Sequence, residues 1–314
     1  MEYIIESSYA GERLDKYLNA ILPDRSRNQI QKSIKSGKIT VNGKNVTPHH
    51  FLQEGDQVVI NEKEEETHVA EEPKAVKKKI TIPEVPVIAE TDDYIVINKP
   101  SGLLVHDDGT KLEPTVAAWL LKHAPEAATV GDDPENRPGI VHRLDKDVSG
   151  LMVVAKNQKF YDHVKKQFQK RTTLKKYSAL VHGKIAREQV IINFVIERAA
   201  SGHKMAARPT NQEGKTAESE VTTVKKFINY TLVKVRIKTG RTHQIRAHLA
   251  AYGNPIVGDN LYGTNIAKIH NKKLGTERIY LVSDELSFKD LDGNKQVFTI
   301  ELPEAFEKML QIIK

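Results

Sequence analysis

The sequence predicts an α+β protein in two domains, the larger built on a mixed, largely antiparallel sheet with flanking helices. Three observations carry this. Strand-type apolar runs recur after residue 94, as in Tyr94 to Ile97, Lys175 to Gly183, Val190 to Ile196, Glu220 to Phe227 and Thr231 to Ile237. Helical spacing is confined to short stretches between them, such as Thr115 to Lys122 and Gln158 to Phe168. A charge run from Glu62 to Lys79, without hydrophobic period, sets these apart from a smaller N-terminal unit. A chain of 314 residues is too long for one small domain and suits two.

Composition narrows the class. The apolar fraction is 39 % and no run approaches the roughly 18 residues of a membrane span. The start, Met1 to Glu6, lacks the basic-then-apolar layout of a signal peptide. Without cysteine there is no disulfide, thiolate metal site or Cys nucleophile. A cytoplasmic protein is the simplest reading. The net charge of +7 favours an anionic partner, nucleic acid first.

Residues 1–61 read as a separate module. Leu14, Tyr17, Leu18, Ile21 and Leu22 share one helical face, which Pro23 ends. A second helix is predicted from Ser26 to Ser36, with Ile30 and Ile34 inward and Gly37 as its stop. Ile39 to Lys44 is a strand entering an Asn-Gly turn, and Gly55 to Ile60 closes the module as a strand. Between Arg25 and Gln53 the basic residues Arg25, Arg27, Lys32, Lys35, Lys38 and Lys44 stand with no acidic one. Such a helix is a solvated face or an RNA contact. The order R-L-D-x-x-L, then S-R with I-x-x-G-x-I-x-V-N-G, then G-D-x-V resembles the S4 RNA-binding domain over most of residues 12–60. The resemblance implies a basic second helix that grips phosphates of structured RNA. Residues 62–85 read as a flexible tether to a second domain spanning 86–314.

Within that domain the stretch Gly139 to Lys156 stands out. Two apolar runs, Gly139 to Leu144 and Leu151 to Ala155, flank a polar corner that holds Asp145 with His142 and Arg143 beside it. The pattern reads as strand, turn, strand. An aspartate in such a turn either caps its own backbone or is a rigidly presented reactive group. A second dense stretch, Thr239 to Asp259, carries Arg241, His243, Gln244, Arg246 and His248. Thr242 can cap a short helix there, with Ile245, Leu249 and Tyr252 inward and Gly253 as its stop. Ala200 to Thr216 is a polar loop, and Ile279 to Phe288, Gln296 to Leu302 and Glu304 to Ile313 read as strand, strand, helix.

The wording of these stretches resembles the RluA-type pseudouridine synthases, which isomerise uridine in RNA to its C-glycoside. The corner matches H-R-L-D-x-x-T/S-S-G, with Val148 where the family usually has Thr. Asn98 to His106 (N-K-P-S-G-L-L-V-H, with Lys99), Lys175 to Gly183 (K-x-Y-x-A-L-V-x-G) and Gly240 to His248 (G-R-T-H-Q-I-R-x-H) match further motifs in order. The resemblance implies that Asp145 is the catalytic residue and that Arg246 pairs with it. It implies that Tyr177 stacks on the target base and serves a later proton transfer. Arg143 would fill the gap left by the flipped base. His142, Lys99, Arg241, His243 and Gln244 are expected around the RNA.

Isomerisation breaks N1–C1′, joins C5 to C1′ and moves a proton from C5 to N1. Nothing is oxidised and no group is imported, so no cofactor and no metal is required; His243 and His248 are five apart with no third ligand near. The carboxylate suits either attack on C1′ or removal of the C2′ proton. Large-subunit rRNA is the expected RNA partner, from the family alone, and tRNA the alternative. No membrane partner or oligomer is needed. A non-catalytic RNA-binding or ribosome-assembly protein would be marked by loss of Asp145, Tyr177 or Arg246, and all three are present. An aspartate hydrolase would want a second carboxylate acid, for which Asp147 has no motif support.

Overall fold

The computed structural model describes residues 1–22, 27–61, 82–107, 113–199, 202 and 204–313. Arg25, His203 and most of the 62–85 tether lie outside that set, as do the side chains of Arg27, Lys32 and Lys35. The chain divides into two compact units, Met1–Val76 and Lys77–Lys314.

The first unit holds strand β1 (Glu2–Ile4), helices α1 (Leu14–Ile21) and α2 (Arg27–Lys35), and strands β2 (Ile39–Val41), β3 (Lys44–Asn45) and β4 (Gln57–Ile60). The strands form one antiparallel sheet, ordered β1-β4-β2-β3. The spaced apolar residues face inward: Leu14, Tyr17 and Leu18 from α1, and Ile30 and Ile34 from α2, pack on Ile39, Val41 and Val58. Asn42 and Gly43 both take positive φ, 51° and 71°. That is the type I′ geometry whose twist matches a two-residue hairpin.

The second unit contains β5 (Val87–Glu90), β6 (Tyr94–Lys99), α3 (Val116–His123), β7 (Ser149–Ala155), α4 (Gln158–Gln169), β8 (Leu174–His182), β9 (Gln189–Ile192) and β10 (Val195–Arg198). It continues with β11 (Met205–Arg208), β12 (Ser219–Lys226), β13 (Tyr230–Ile237), α5 (Gln244–Ala251), α6 (Asn265–Lys273), β14 (Leu281–Lys289), β15 (Lys295–Thr299) and α7 (Glu304–Ile312). The large sheet runs β5-β6-β7-β14-β8-β13-β12-β9, with β15 on β14. Every pairing is antiparallel except β7 with β14, where Val282 faces Ser149 and Ser283 faces Gly150. The mixed, largely antiparallel sheet with flanking helices is therefore as expected. Gly150 (φ +124°) is needed at this seam, since a Cβ there would lie 2.2 Å from the Ser283 carbonyl oxygen.

Side-chain alternation gives the sheet two covered faces. Ile95, Ile97, Met152, Val154, Ala179 and Val181 pack with residues of α3 and α5. On the other face Val96, Val153, Leu286 and Phe288 pack on Phe160 and Val164 of α4, while Tyr280 and Val282 meet Phe306 and Met309 of α7. The chemistry-bearing loops rise on the α5 side, where β7, β14 and β8 meet.

Four local expectations are corrected. Gly139 to Leu144 is not a strand: only Ile140 bridges to Val154. Gly139 turns at φ +64° under the Ala155 carbonyl, and the His142 ring accepts the Val153 amide at Nε2 (3.0 Å). A side chain thus replaces the partner that a continuing strand would supply. The run Val190 to Ile196 breaks after Ile192, because the Phe194 carbonyl accepts a hydrogen bond from His248 Nε2 on α5 (2.9 Å). The next strand, β10, pairs with β11 as a separate hairpin, so the expected polar loop holds a strand. Helix α6 was not anticipated; Ile266 and Ile269 are exposed on it, so it lacks a full apolar stripe.

Candidate active site

A cleft of about 660 Å³ opens over the β7–β14–β8 seam, lined by His142, Arg143, Asp145, Tyr177, Arg241, His243, Gln244 and Arg246. The corner that carries Asp145 is bolted to the turn after β6. Lys99 is fully buried, and its ammonium donates to the carbonyls of Pro100 (2.9 Å), Leu103 (2.8 Å) and Lys146 (2.9 Å). Gly102 N donates to the same Lys146 carbonyl, and Ser101 Oγ donates to that of Asp147. Burial pushes the Lys99 ammonium down to about 7, opposed by the charges of Asp147 and Asp145. Three carbonyl acceptors call for three N–H bonds, which only the charged form has. Lys99 therefore positions the Asp145 corner and has no face left for RNA, which corrects the expectation of contact.

Val148 is 2 % exposed, packs in the core with Leu144 and lines the cleft with an apolar face where the family usually has Thr. The serine beside it, Ser149, accepts a hydrogen bond from Arg278 Nη2 (2.6 Å).

Asp145 is met by α5. Arg246, 4 % exposed, donates through Nη1 to Asp145 Oδ2 (3.3 Å). Its other edge grips Asp259 in a fork, Nε to Oδ2 at 2.7 Å and Nη2 to Oδ1 at 3.1 Å. Asp259 is fully buried and also accepts the amides of Leu261 and Tyr262. Burial works against the guanidinium, but the hydrogen bonds and charge of Asp259, then of Asp145, raise it above the ordinary arginine value. A bidentate carboxylate on one edge leaves the guanidinium one aim for its remaining nitrogen, the Asp145 carboxylate. Asp259 carried no assigned role in the sequence reading. The signal was the cost of burying Arg246 for a single exposed-corner carboxylate.

His243 begins α5 in the left-handed conformation (φ 53°), so the cap is not Thr242, which is exposed. This turn aims the ring inward, with Nε2 4.0 Å from Asp145 Oδ2 and Nδ1 3.0 Å from the Tyr262 hydroxyl. Tyr262 accepts the Met205 amide (2.8 Å), so every hydrogen is used when its hydroxyl donates to Nδ1 and Nε2–H faces the carboxylate. Burial lowers the His243 pKa, with Asp145 opposing, which favours this neutral form. Tyr262 also lies under the Arg246 guanidinium, 5.1 Å away. Nineteen residues separate it from His243, so no local pattern disclosed it.

Gln244 is corrected as well. Its Oε1 accepts from Thr239 Oγ1 and Arg241 N, and its Nε2 donates to Glu218 O and Ser219 Oγ. All its bonding capacity is spent inside the protein. Arg241 donates through Nε to the Thr216 carbonyl (3.1 Å) and lines the cleft. Arg143 is exposed beside Asp145. Tyr177 is 6 % exposed at the cleft floor, and burial raises its phenol, with Asp145 adding to the rise.

His142 is a packing residue rather than an RNA contact: its ring stacks on Phe168 (4.6 Å) besides accepting the Val153 amide. Burial holds it down to about 3, against an ordinary 6.5. As pH falls through 6.5 the unfolded chain takes a proton that the folded chain refuses. Stability should therefore fall by up to about 1.4 kcal/mol per pH unit toward pH 3. Melting curves of wild type and His142→Gln between about pH 7 and 4 check this; the variant is expected to lose less on acidification.

The cleft thus holds a carboxylate on a braced corner, fixed by a buried guanidinium beside a floor tyrosine and ringed by cations suited to an anionic substrate. The comparisons give the class. Residues 93–251 match the RNA pseudouridylate synthase family and residues 12–58 the S4 domain. The chain is 39 % identical to an uncharacterized RNA pseudouridine synthase of Aquifex aeolicus over 98 % of its own length and 95 % of that protein. It is 31 % identical to the ribosomal large subunit pseudouridine synthase D of Neisseria meningitidis, covering 97 % of this chain and 79 % of that one. Human RNA pseudouridylate synthase domain containing 1 shares the fold, with TM-score 0.58 at 21 % identity, over 74 % and 96 % of the two chains. The protein belongs to the RNA pseudouridylate synthase family and carries an S4 domain: it is an isomerase that acts on RNA.

Proposed function

We propose that the protein converts one or more uridines of 23S rRNA to pseudouridine, with Asp145 as the catalytic carboxylate and no cofactor. The observation that carries the mechanism is the Asp259–Arg246–Asp145 chain, which fixes the Asp145 carboxylate in the cleft. The choice of RNA rests on relatives named for the large ribosomal subunit, among them those of Neisseria meningitidis and Pseudomonas aeruginosa. No helix among the described residues is long and apolar enough to cross a membrane, and a cytoplasmic setting accords with the proposed substrate.

The uridine is flipped from its stack into the cleft, and Arg143 takes the vacated place. Tyr177 offers the uracil a face. Asp145 acts at the sugar, on C1′ or on the C2′ proton, while N1–C1′ breaks. The base turns, C5 joins C1′, and the C5 proton leaves as N1 gains one. Tyr177 enters this with its raised phenol protonated, which suits it to hydrogen bonding better than to taking a proton as a base.

Because C5 loses its hydrogen, release of tritium from [5-³H]uridine reports each turnover. Purified protein with transcribed 23S rRNA, 16S rRNA and tRNA is expected to release tritium from 23S rRNA alone; release only from tRNA moves the substrate. The S4 unit serves as a tethered phosphate grip, with Arg25, Arg27, Lys32, Lys35 and Lys38 as its cations. Removing residues 1–61 is expected to raise KM more than it lowers kcat and to flatten the salt dependence of binding. Filter binding across a salt series checks this, and an unchanged slope would place the grip elsewhere.

A further inference from the structure

The cleft extends past the catalytic corner to the end of α4, where a second wall forms. Its base is a stack: the His142 ring lies on Phe168, and Lys175 Nζ sits 5.4 Å from the centre of the same Phe168 ring. Among the described residues no carboxylate or carbonyl pairs with Lys175, and burial brings its ammonium down to about 8. Apart from that ring face the half-buried ammonium has no counter-charge, which an arriving anion would supply.

Arg171 adds an independent observation. It follows α4 in the left-handed conformation (φ 58°), the position where glycine costs least. The chain spends stability to keep an exposed arginine here, and that arginine lines the same cleft without an ion pair among the described residues.

We propose that Lys175 and Arg171 form a second RNA subsite, gripping a backbone phosphodiester of the strand beside the target nucleotide. This rests on the RNA-isomerase reading above. The ligand is a phosphodiester because these two cations have no ion-pair partner among the described residues, Asp132 of the same cleft being taken by Lys165, and unpaired cations match charge rather than a base edge. The wall adjoins the Asp145 end of the cleft, so the grip sets the register in which the flipped uridine arrives.

The test uses the full chain with transcribed 23S rRNA, in filter binding over a salt series and in tritium release. Lys175→Met, which keeps the packing on Phe168, is expected to weaken binding about tenfold. Its salt slope should fall by about 0.7 to 0.9, one phosphate contact, with the loss mainly in KM. Lys175→Arg should restore both. Arg171→Gly should melt at the same or a higher temperature yet bind more weakly. Wild-type KM and slope in Lys175→Met, or a loss in Arg171→Gly that merely tracks a lowered melting temperature, would overturn the subsite. If wild type binds but releases no tritium, the isomerase reading fails, and the filter-binding slopes still decide the subsite.

Discussion

Asp145→Asn is expected to lower turnover by at least about 10⁴-fold while leaving RNA binding intact. The substitution is nearly isosteric, and the amide oxygen can still accept from Arg246 Nη1. The corner itself is held by Lys99, Ser101 and Gly102 through backbone carbonyls, none of which involves the Asp145 side chain. The loss is the negative charge that can attack or take a proton. Removing an anion from a cleft that receives a polyanion should, if anything, tighten binding. Tritium release and filter binding on one preparation separate the two effects. Loss of both together would mean that the corner had collapsed.

The second large effect is expected at a residue that touches no substrate. Asp259→Asn should cost about 10²-fold in kcat with little change in KM, because Arg246 then loses the fork that aims it. Asp259 keeps its two backbone donors through Oδ1, so the Asp259–Tyr262 turn survives. Arg246→Met is the harsher variant, leaving two carboxylates to share the loss of one cation at about 3 to 5 kcal/mol. Arg246→Lys keeps the charge but cannot reach both carboxylates, and should fold while turning over slowly. Wild-type kcat in Asp259→Asn would show that the guanidinium needs no such brace.

Much of this was legible in the chain, for physical reasons that differ from place to place. The helices of the first unit arise from apolar spacing, and the Asn42–Gly43 hairpin from the residues a type I′ turn demands. The central strands arise from apolar runs bounded by turns. Arm 139–144 reads as a strand in sequence because Ile140, Val141 and Leu144 are apolar, yet only Ile140 bridges to a strand, and His142 takes a backbone role no periodicity encodes. Lys99 and Gln244 look like RNA contacts because they are polar within motif wording. Their bonds to carbonyls and amides far along the chain turn them into braces. Asp259 and Tyr262 act across the fold, at sequence distances where spacing carries no signal. Pairing of Asp145 with Arg246 joins residues 101 apart; it was reachable through family resemblance and not through local pattern.

The central claim is that this chain isomerises uridine in large-subunit rRNA through Asp145. The most direct measurement is a map of pseudouridine, by carbodiimide adduct and primer extension, in total RNA from cells with and without the gene. The cells lacking it would be complemented with wild type or Asp145→Asn. A 23S rRNA site that vanishes with the gene and returns only with wild type is the predicted result. No changed site, or a site restored by the asparagine variant, would contradict the account.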